Sequence, residues 1–296
     1  MTDARILHFL TPLKHPSPFD VNVAVDAGFV IAGYTLVDLR EVSGLTQDAM
    51  FSRLPQDATK TCVFIGGRDA LLALDMAETA KAAMFPPFVV SIFADPSGAF
   101  TTAAAMVAWV QHHLRRQGGS LAGAKIAVFG AKGVVGGIAA LLAAEAGADV
   151  TLVAHDHSGA VPAKVGTFEA RFKLRLRVAE GITDEQKRTV LRACDVAFAA
   201  GPPGVRILSR EDLRYAERLK IAVDVNAVPP FGIEGLDATT DGAPLNIAPG
   251  IGIGALAIGK VKFSLQHALL RRIFSAEKPQ FIMHGEAYHA ALELVR

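Results

Sequence analysis

The sequence has 296 residues, of which 51% are hydrophobic and 20% charged. At about 100–200 residues per domain, that is apolar material for two cores. The 30 Lys+Arg balance 29 Asp+Glu for a formal net charge of +1, which excludes the strongly basic surface of a nucleic-acid-binding domain and, at this hydrophobicity, a disordered chain. In chain order, β-prone runs at 31–37, 62–65, 89–93, 125–129, 150–154, 196–199 and 221–225 alternate with Ala- and Leu-rich segments of helical spacing at 69–85, 101–116, 134–146, 164–172 and 184–192. Such alternation predicts βαβ units and parallel sheets, and unbroken apolar strands such as KIAVFG fit sheets covered on both faces.

The turn-rich DPSGAF near residue 100 and the Gly/Ser stretch in RRQGGSLAGAK mark a boundary. The long helical stretch 255–274 is expected to run back to the first domain. The expected architecture is α/β with two domains and a cleft between them. An α/β substrate domain takes 1–100 plus 270–296, and a Rossmann-type dinucleotide-binding domain takes 101–269.

Mean hydropathy is +0.33, yet the longest apolar window, 126–152, is broken by Lys132, Glu145, Asp149 and five glycines. A spanning helix needs about 20 predominantly apolar residues, so no membrane insertion is expected. The opening MTDARILHFLTPLKH has neither an apolar core nor a small-residue cleavage site, which reads as a cytoplasmic protein. Cys62 and Cys194 both lie in apolar runs and read as buried thiols, with no metal site expected.

The most informative segment is KIAVFGAKGVVGGIAALLAAEAGADVTLVAHD. A strand meets a glycine-rich turn, then an Ala/Leu helix, then a second strand ending near Asp156. Glycines let backbone approach a pyrophosphate, and a helix N-terminus offers free N–H groups to it. Gly130, Ala131, Lys132, Gly133, Val134 and Val135 are the expected phosphate-binding stretch. The spacing departs from the usual fingerprint, because Ala131 stands at its first glycine. His155 and Asp156 follow the second strand, with Asp156 lying 23 positions beyond Gly133. A carboxylate there suits the ribose 2′-OH of NAD, which favours NAD, or tolerance of both nucleotides, over strict use of NADP. A plain surface aspartate is the alternative. Ala200 and Gly201 in AAGPPG, Asn226 in DVNAVPPFGIEG and Gly254 in GIGIGALAIGKVK are further expected cofactor neighbours.

The opening ILHFLTPLKHPSPFDVNVAVDAGF, the middle ADPSGAFTTAAAMVA, and DVNAVPPFGIEGLDA with GIGIGALAIGKVKF resemble the methylene-tetrahydromethanopterin dehydrogenases of methylotrophic bacteria over nearly the whole chain. The likeness is closest to the NAD(P)-using branch, with its TPLKH…SPFDVN opening and His-Asp pair after the second strand. It implies hydride transfer from 5,10-methylene-tetrahydromethanopterin to NAD(P)+, giving the methenyl form in formaldehyde oxidation. It also implies a homo-oligomer. The physically similar alternative is methylene-tetrahydrofolate oxidation, and the alternative from another class is a silent NAD(P)-binding redox sensor. Loss of hydride leaves a cation delocalised over two nitrogens, so positioning and electrostatics can suffice without a proton-transfer group.

The resemblance then calls for pterin contacts. Lys14, His15 and Asp20 share a Pro-rich loop leading into a helix; Lys14 and Asp20 are the positioning candidates, and Asp20 can either cap that helix or meet the pterin. Asp95 and Thr102 lie at a strand-to-helix junction, where N-capping competes with ligand contact. Lys260 and Lys262, two apart, cannot share a helix face; Lys260 is the nominated contact.

Overall fold

The computed structural model describes residues 4–295; the first three residues and the last of the expected substrate domain lie outside them. In chain order the strands are β1 (Ile6–Leu10), β2 (Val30–Tyr34), β3 (Thr61–Ile65), β4 (Ser91–Ala94), β5 (Lys125–Phe129), β6 (Asp149–Ala154), β7 (Arg177–Glu180), β8 (Val196–Ala199), β9 (Ile221–Asp224), β10 (Asp241–Pro244), β11 (Ile251–Ile253) and β12 (Phe281–Ile282). The α-helices are α1 (Pro18–Asp26), α2 (Val42–Phe51), α3 (Ala70–Ala82), α4 (Ala99–Arg116), α5 (Val134–Glu145), α6 (Ala160–Phe172), α7 (Asp184–Ala193), α8 (Arg210–Leu213), α9 (Ala255–Ser275) and α10 (His284–Leu294). The chain forms two compact units. One takes the chain up to Thr101 together with Phe263–Ala290; the other takes Thr102–Lys262 and the segment from Ala291 onward.

The first unit carries a five-stranded sheet in the order β2-β1-β3-β4-β12, with every neighbouring pair parallel. This is a doubly wound order whose direction reverses between β1 and β3, and ligands of such sheets bind outside the strand carboxyl ends at that reversal. All residues of β3 and β4 are buried, as covering on both faces requires. Phe64 packs edge-on against Phe9 at 4.7 Å and Phe93 at 5.3 Å, which joins the three central strands through one aromatic row. The central strand β1 was not among the expected strands, because His8 interrupts its apolar run. That imidazole sits 3.0 Å from the Tyr34 hydroxyl on β2, and burial, with the charge of Arg53, holds its pKa below the usual value.

The second unit carries a seven-stranded sheet in the order β10-β11-β9-β8-β5-β6-β7. From β7 to β11 all pairs are parallel, and β10 closes the edge antiparallel. The six parallel strands follow the dinucleotide-fold order 3-2-1-4-5-6, with β5 as the first strand and the reversal between β5 and β8. Helix α5 is buried from Gly136 through Ala143, which explains an Ala/Leu run with no polar face. Pro244 is tolerated because β10 is an edge. The polar edge strand β7 had no hydrophobic alternation to announce it.

Expected helix starts are offset where a side chain caps. Asp69 accepts from the amides of Leu71 and Leu72 at 2.9 and 3.0 Å, so α3 begins one residue later than its expected start. Both cysteines are free and buried, and burial pushes their thiols up, that of Cys194 to about 12. Among the described residues no helix is long and apolar enough to cross a membrane, and no cluster of three or more His, Cys, Asp and Glu could hold a metal ion.

Candidate functional site

At the carboxyl end of β5 the chain turns through Gly130 and enters α5 at Gly133. Gly130 has φ +83°, and a Cβ there would lie 2.4 Å from the carbonyl carbon and oxygen of Ala200 and 2.6 Å from the nitrogen of Gly201. The loops after β5 and β8 therefore touch through backbone alone. A Cβ on Gly136 would stand 2.7 Å from the Gly130 oxygen, so this glycine brings the helix onto the loop. Ala131, at the fingerprint's first position, is wholly buried. Gly133 is the N-cap of α5 and supplies no side-chain cap, leaving first-turn N–H groups to a ligand. Val134 and Val135 open the helix half-buried, while Lys132 is exposed.

Beyond β6, Asp156 accepts from the Ser158 hydroxyl at 2.5 Å and the Ser158 amide at 3.0 Å. Lys132 Nζ and His155 Nε2 approach its other oxygen at 3.5 and 3.4 Å. The two Ser158 hydrogen bonds, then Lys132 and His155, bring its pKa down to about 2, so it is a carboxylate at any working pH. A pocket of about 210 Å³ adjoins it, lined by Gly130, Val153, His155, Gly181, Lys187 and Gly201 among others. It lies between the loops after β6 and β8, where the adenosine half of a dinucleotide is placed by this fold. Glycines that a Cβ would drive into backbone, an uncapped helix start and an ionised acid after the second strand together fit NAD or NADP.

Two expected cofactor neighbours have other work. The side-chain oxygen of Asn226 accepts from the amides of Val228 at 2.9 Å and Gly204 at 3.3 Å, and its Nδ2 donates to the Pro230 carbonyl at 3.0 Å. It pins the 200–204 loop to the 226–230 loop, and its amide carbonyl is already committed. Gly254 is required because a Cβ would lie 2.3 Å from the Asp237 oxygen and 2.5 Å from the Ala238 oxygen. The glycine is thus accounted for by packing against backbone.

In the first unit, Lys14 and His15 are exposed and Asp20 is buried. Ser17, not Asp20, caps α1, accepting from the Asp20 amide at 3.3 Å. Asp20 instead accepts a 2.7 Å hydrogen bond from Gln266 Nε2 on α9, and both residues are buried. Phe19 and Phe263 flank them edge to face at 6.2 Å, each 46% exposed, with His267 stacked on Phe263. Asp95 is wholly buried and accepts from the amides of Phe100 and Thr101 at 2.9 and 3.1 Å and from the Thr101 hydroxyl at 2.6 Å. Its oxygens satisfy the orphan donors opening α4, which is the capping that the sequence offered for this residue. Thr102 is half-buried. Of the two lysines on α9, the nominated Lys260 is exposed and Lys262 is buried.

Sequence reasoning missed a cleft of about 270 Å³ at the ends of β1, β3 and β4, lined by Thr11, His15, Ser17, Arg68 and Ser97 among others. It occupies the reversal point of the first sheet. Ser97 has φ +52° and donates its hydroxyl to the Gly67 carbonyl at 2.6 Å; a non-glycine residue held left-handed beside a cleft is the kind of strain that gathers at binding sites. Gln266 had a legible signal: it lies one turn from Lys262 on an otherwise apolar helical face.

Residues 18–97 match the family model described as methylene-tetrahydromethanopterin dehydrogenase, N-terminal. The chain is 48% identical over 291 residues to an NAD(P)-dependent methylenetetrahydromethanopterin dehydrogenase of Methylorubrum extorquens, covering 98% of each. It is 33% identical over 280 residues to the bifunctional protein MdtA of the same organism, covering 94% of this chain and 95% of that one. Among solved structures, the shikimate 5-dehydrogenase of Listeria monocytogenes in complex with shikimate and NAD matches with a TM-score of 0.54 at 13% identity, covering 99% of this chain and 97% of that one. The ornithine carbamoyltransferase of Pyrococcus furiosus matches with a TM-score of 0.52, also at 13% identity, over 90% and 83%. Both are likenesses of fold alone.

Proposed function

The chain belongs to the methylene-tetrahydromethanopterin dehydrogenase family and is an NAD(P)-dependent oxidoreductase, and from that premise we propose how its two units divide the work. The first unit takes the pterin carrier and the second the nucleotide, in the oxidation of 5,10-methylene-tetrahydromethanopterin to its methenyl form during formaldehyde oxidation. The observation that carries this reading is near-full-length kinship at 48% identity to an enzyme of that name. When bound, NAD(P)+ supplies the acceptor for the hydride leaving the carrier's methylene carbon.

The residues of this chain bind, orient and tune. The α5 N-terminus and the loop from Gly130 to Val135 present N–H groups to the pyrophosphate, and Asp156 accepts from the ribose. Phe19 and Phe263 offer faces to a flat heterocycle, beside the cleft that Thr11, His15, Ser17, Arg68 and Ser97 line. Positive charge develops on the carrier as hydride leaves, so a carboxylate held in place at Asp20 lowers the barrier if it faces that charge. The Gln266 hydrogen bond fixes the carboxylate's orientation in advance. No proton has to leave the carrier in the hydride-transfer step, so a general base is not demanded. Lys14, exposed, suits the carrier's polar tail better than its reacting ring. In the same reading the enzyme works in the cytoplasm as a homo-oligomer.

The test is to follow methenyl absorbance and NAD(P)H formation with methylene-tetrahydromethanopterin and methylene-tetrahydrofolate, each with NAD+ and NADP+. Turnover of the methanopterin carrier is expected. Tight nucleotide binding with no turnover of either carrier would sink the reading. For nucleotide choice, Asp156→Arg removes a carboxylate that is ionised at any working pH and adds a partner for the 2′-phosphate. It is expected to move the NADP/NAD ratio of kcat/KM upward by on the order of tenfold or more. An unchanged ratio would show that Asp156 does not reach the ribose.

A further inference from the structure

Lys164, on the second turn of α6, sends its ammonium to the glycine-rich loop. Its Nζ donates to three successive carbonyls, those of Ala131 at 3.1 Å, Lys132 at 2.6 Å and Gly133 at 3.1 Å. An ammonium has three N–H bonds, and these three carbonyls match them in number. Peptide carbonyl and N–H point in opposite directions across a planar unit. Gathering three carbonyls on one cation therefore turns the following N–H groups, those of Lys132, Gly133 and Val134, away from it. The Gly133 amide is taken by the Gly130 oxygen at 2.9 Å.

A second observation explains a neighbouring residue. Gly137 lies on the first turns of α5, and a Cβ there would meet Lys164 Nζ at 3.1 Å and its Cδ at 3.3 Å. Gly136 answers to the loop backbone, as described above, but Gly137 answers to the lysine that crosses over it. The Gly-Gly pair thus serves two different contacts.

We infer that Lys164 is a positioning residue for the nucleotide pyrophosphate, gripping the 131–133 carbonyls so that the Lys132 and Val134 amides stay presented before ligand arrives. The inference rests on the reading of this loop as the dinucleotide site. The lysine need not touch phosphate; its charge also offsets the negative ends of three carbonyl dipoles gathered on the face of the loop opposite those N–H groups. The half-buried position on a helix flank leaves room for substitution without loss of the core.

The experiment compares Lys164→Met, Lys164→Arg and Gly137→Ala in the full-length enzyme, with calorimetric titration of ADP-ribose, which has the pyrophosphate, and adenosine, which lacks it. Lys164→Met is expected to weaken ADP-ribose binding by roughly tenfold to a hundredfold, the range for charge-assisted hydrogen bonds, with adenosine binding unchanged. In turnover, KM for NAD(P)+ should rise more than kcat falls, and Lys164→Arg should recover part of the loss. Gly137→Ala should give the same phenotype more weakly, and combining it with Lys164→Met should add nothing, because both disturb one contact. Equal losses for ADP-ribose and adenosine, or strictly additive effects of the two substitutions, would overturn the inference. Gly133→Val serves as the control on the underlying reading. If it leaves ADP-ribose binding intact, the loop is not the nucleotide site; if it abolishes binding while Lys164→Met changes nothing, only the role of Lys164 fails.

Discussion

Replacing Gly130 with alanine is expected to lower kcat/KM for NAD(P)+ by on the order of a hundredfold or more, the scale set by displacing a binding group by about 1 Å. Two independent penalties meet at this residue. Its φ of +83° is one that L side chains rarely adopt. Its Cβ would sit 2.4 Å from the Ala200 carbonyl, and backbone at the end of a buried strand cannot rotate aside as a side chain can. The loops after β5 and β8 must separate, and they separate at the sheet's reversal point, where the dinucleotide lies. Gly133 makes the contrast. Its φ of −66° is ordinary, and its Cβ would be 3.2 Å from the Gly130 oxygen, so alanine is nearly accommodated there and only a branched side chain crowds the ligand space. Initial rates at varied nucleotide, with near-ultraviolet circular dichroism confirming the fold, check this. Wild-type kinetics in Gly130→Ala would place nucleotide binding away from this loop.

That ordering of the glycines was not legible in the sequence, where Gly130 and Gly133 stand together in one expected phosphate-binding stretch. What could be read was the sequence of elements: KIAVF and VAFA appear as strands with the ends the structure gives them, since both are short, apolar and bounded by turn residues. The βαβ unit followed from the same evidence. The first unit was harder. Its middle strand β1 is interrupted by His8, whose burial depends on Tyr34 of a neighbouring strand, a pairing that no local window contains. Asp20 shows the same limit at the candidate site. Position 20 lies at the start of a helix, as read, but its partner Gln266 is 246 positions away, and the cap that the sequence offered it is taken by Ser17. For Lys260 and Lys262 the helical period limited the choice to one, and only packing could say which is buried.

Asp95 gives the largest expected effect on stability. Its carboxylate takes two amide hydrogen bonds on Oδ1 and the Thr101 hydroxyl on Oδ2, all without solvent exposure. Asp95→Ala leaves those donors buried and unsatisfied at the start of α4, which costs about 3 kcal/mol and corresponds to a drop in Tm of roughly 6–12 °C for a chain of this size. Asp95→Asn should recover most of it. The amide oxygen keeps both backbone bonds, and the new Nδ2 can donate to Thr101 Oγ1, whose own proton turns to the Gly98 carbonyl 3.2 Å away. The pair of variants separates capping from ligand contact. If Asp95 serves only the helix, Asp95→Asn has near-native Tm and an unchanged KM for the pterin carrier. A near-native Tm with a KM raised tenfold would instead put this carboxylate on the substrate, and the sequence's other reading of Asp95 would stand.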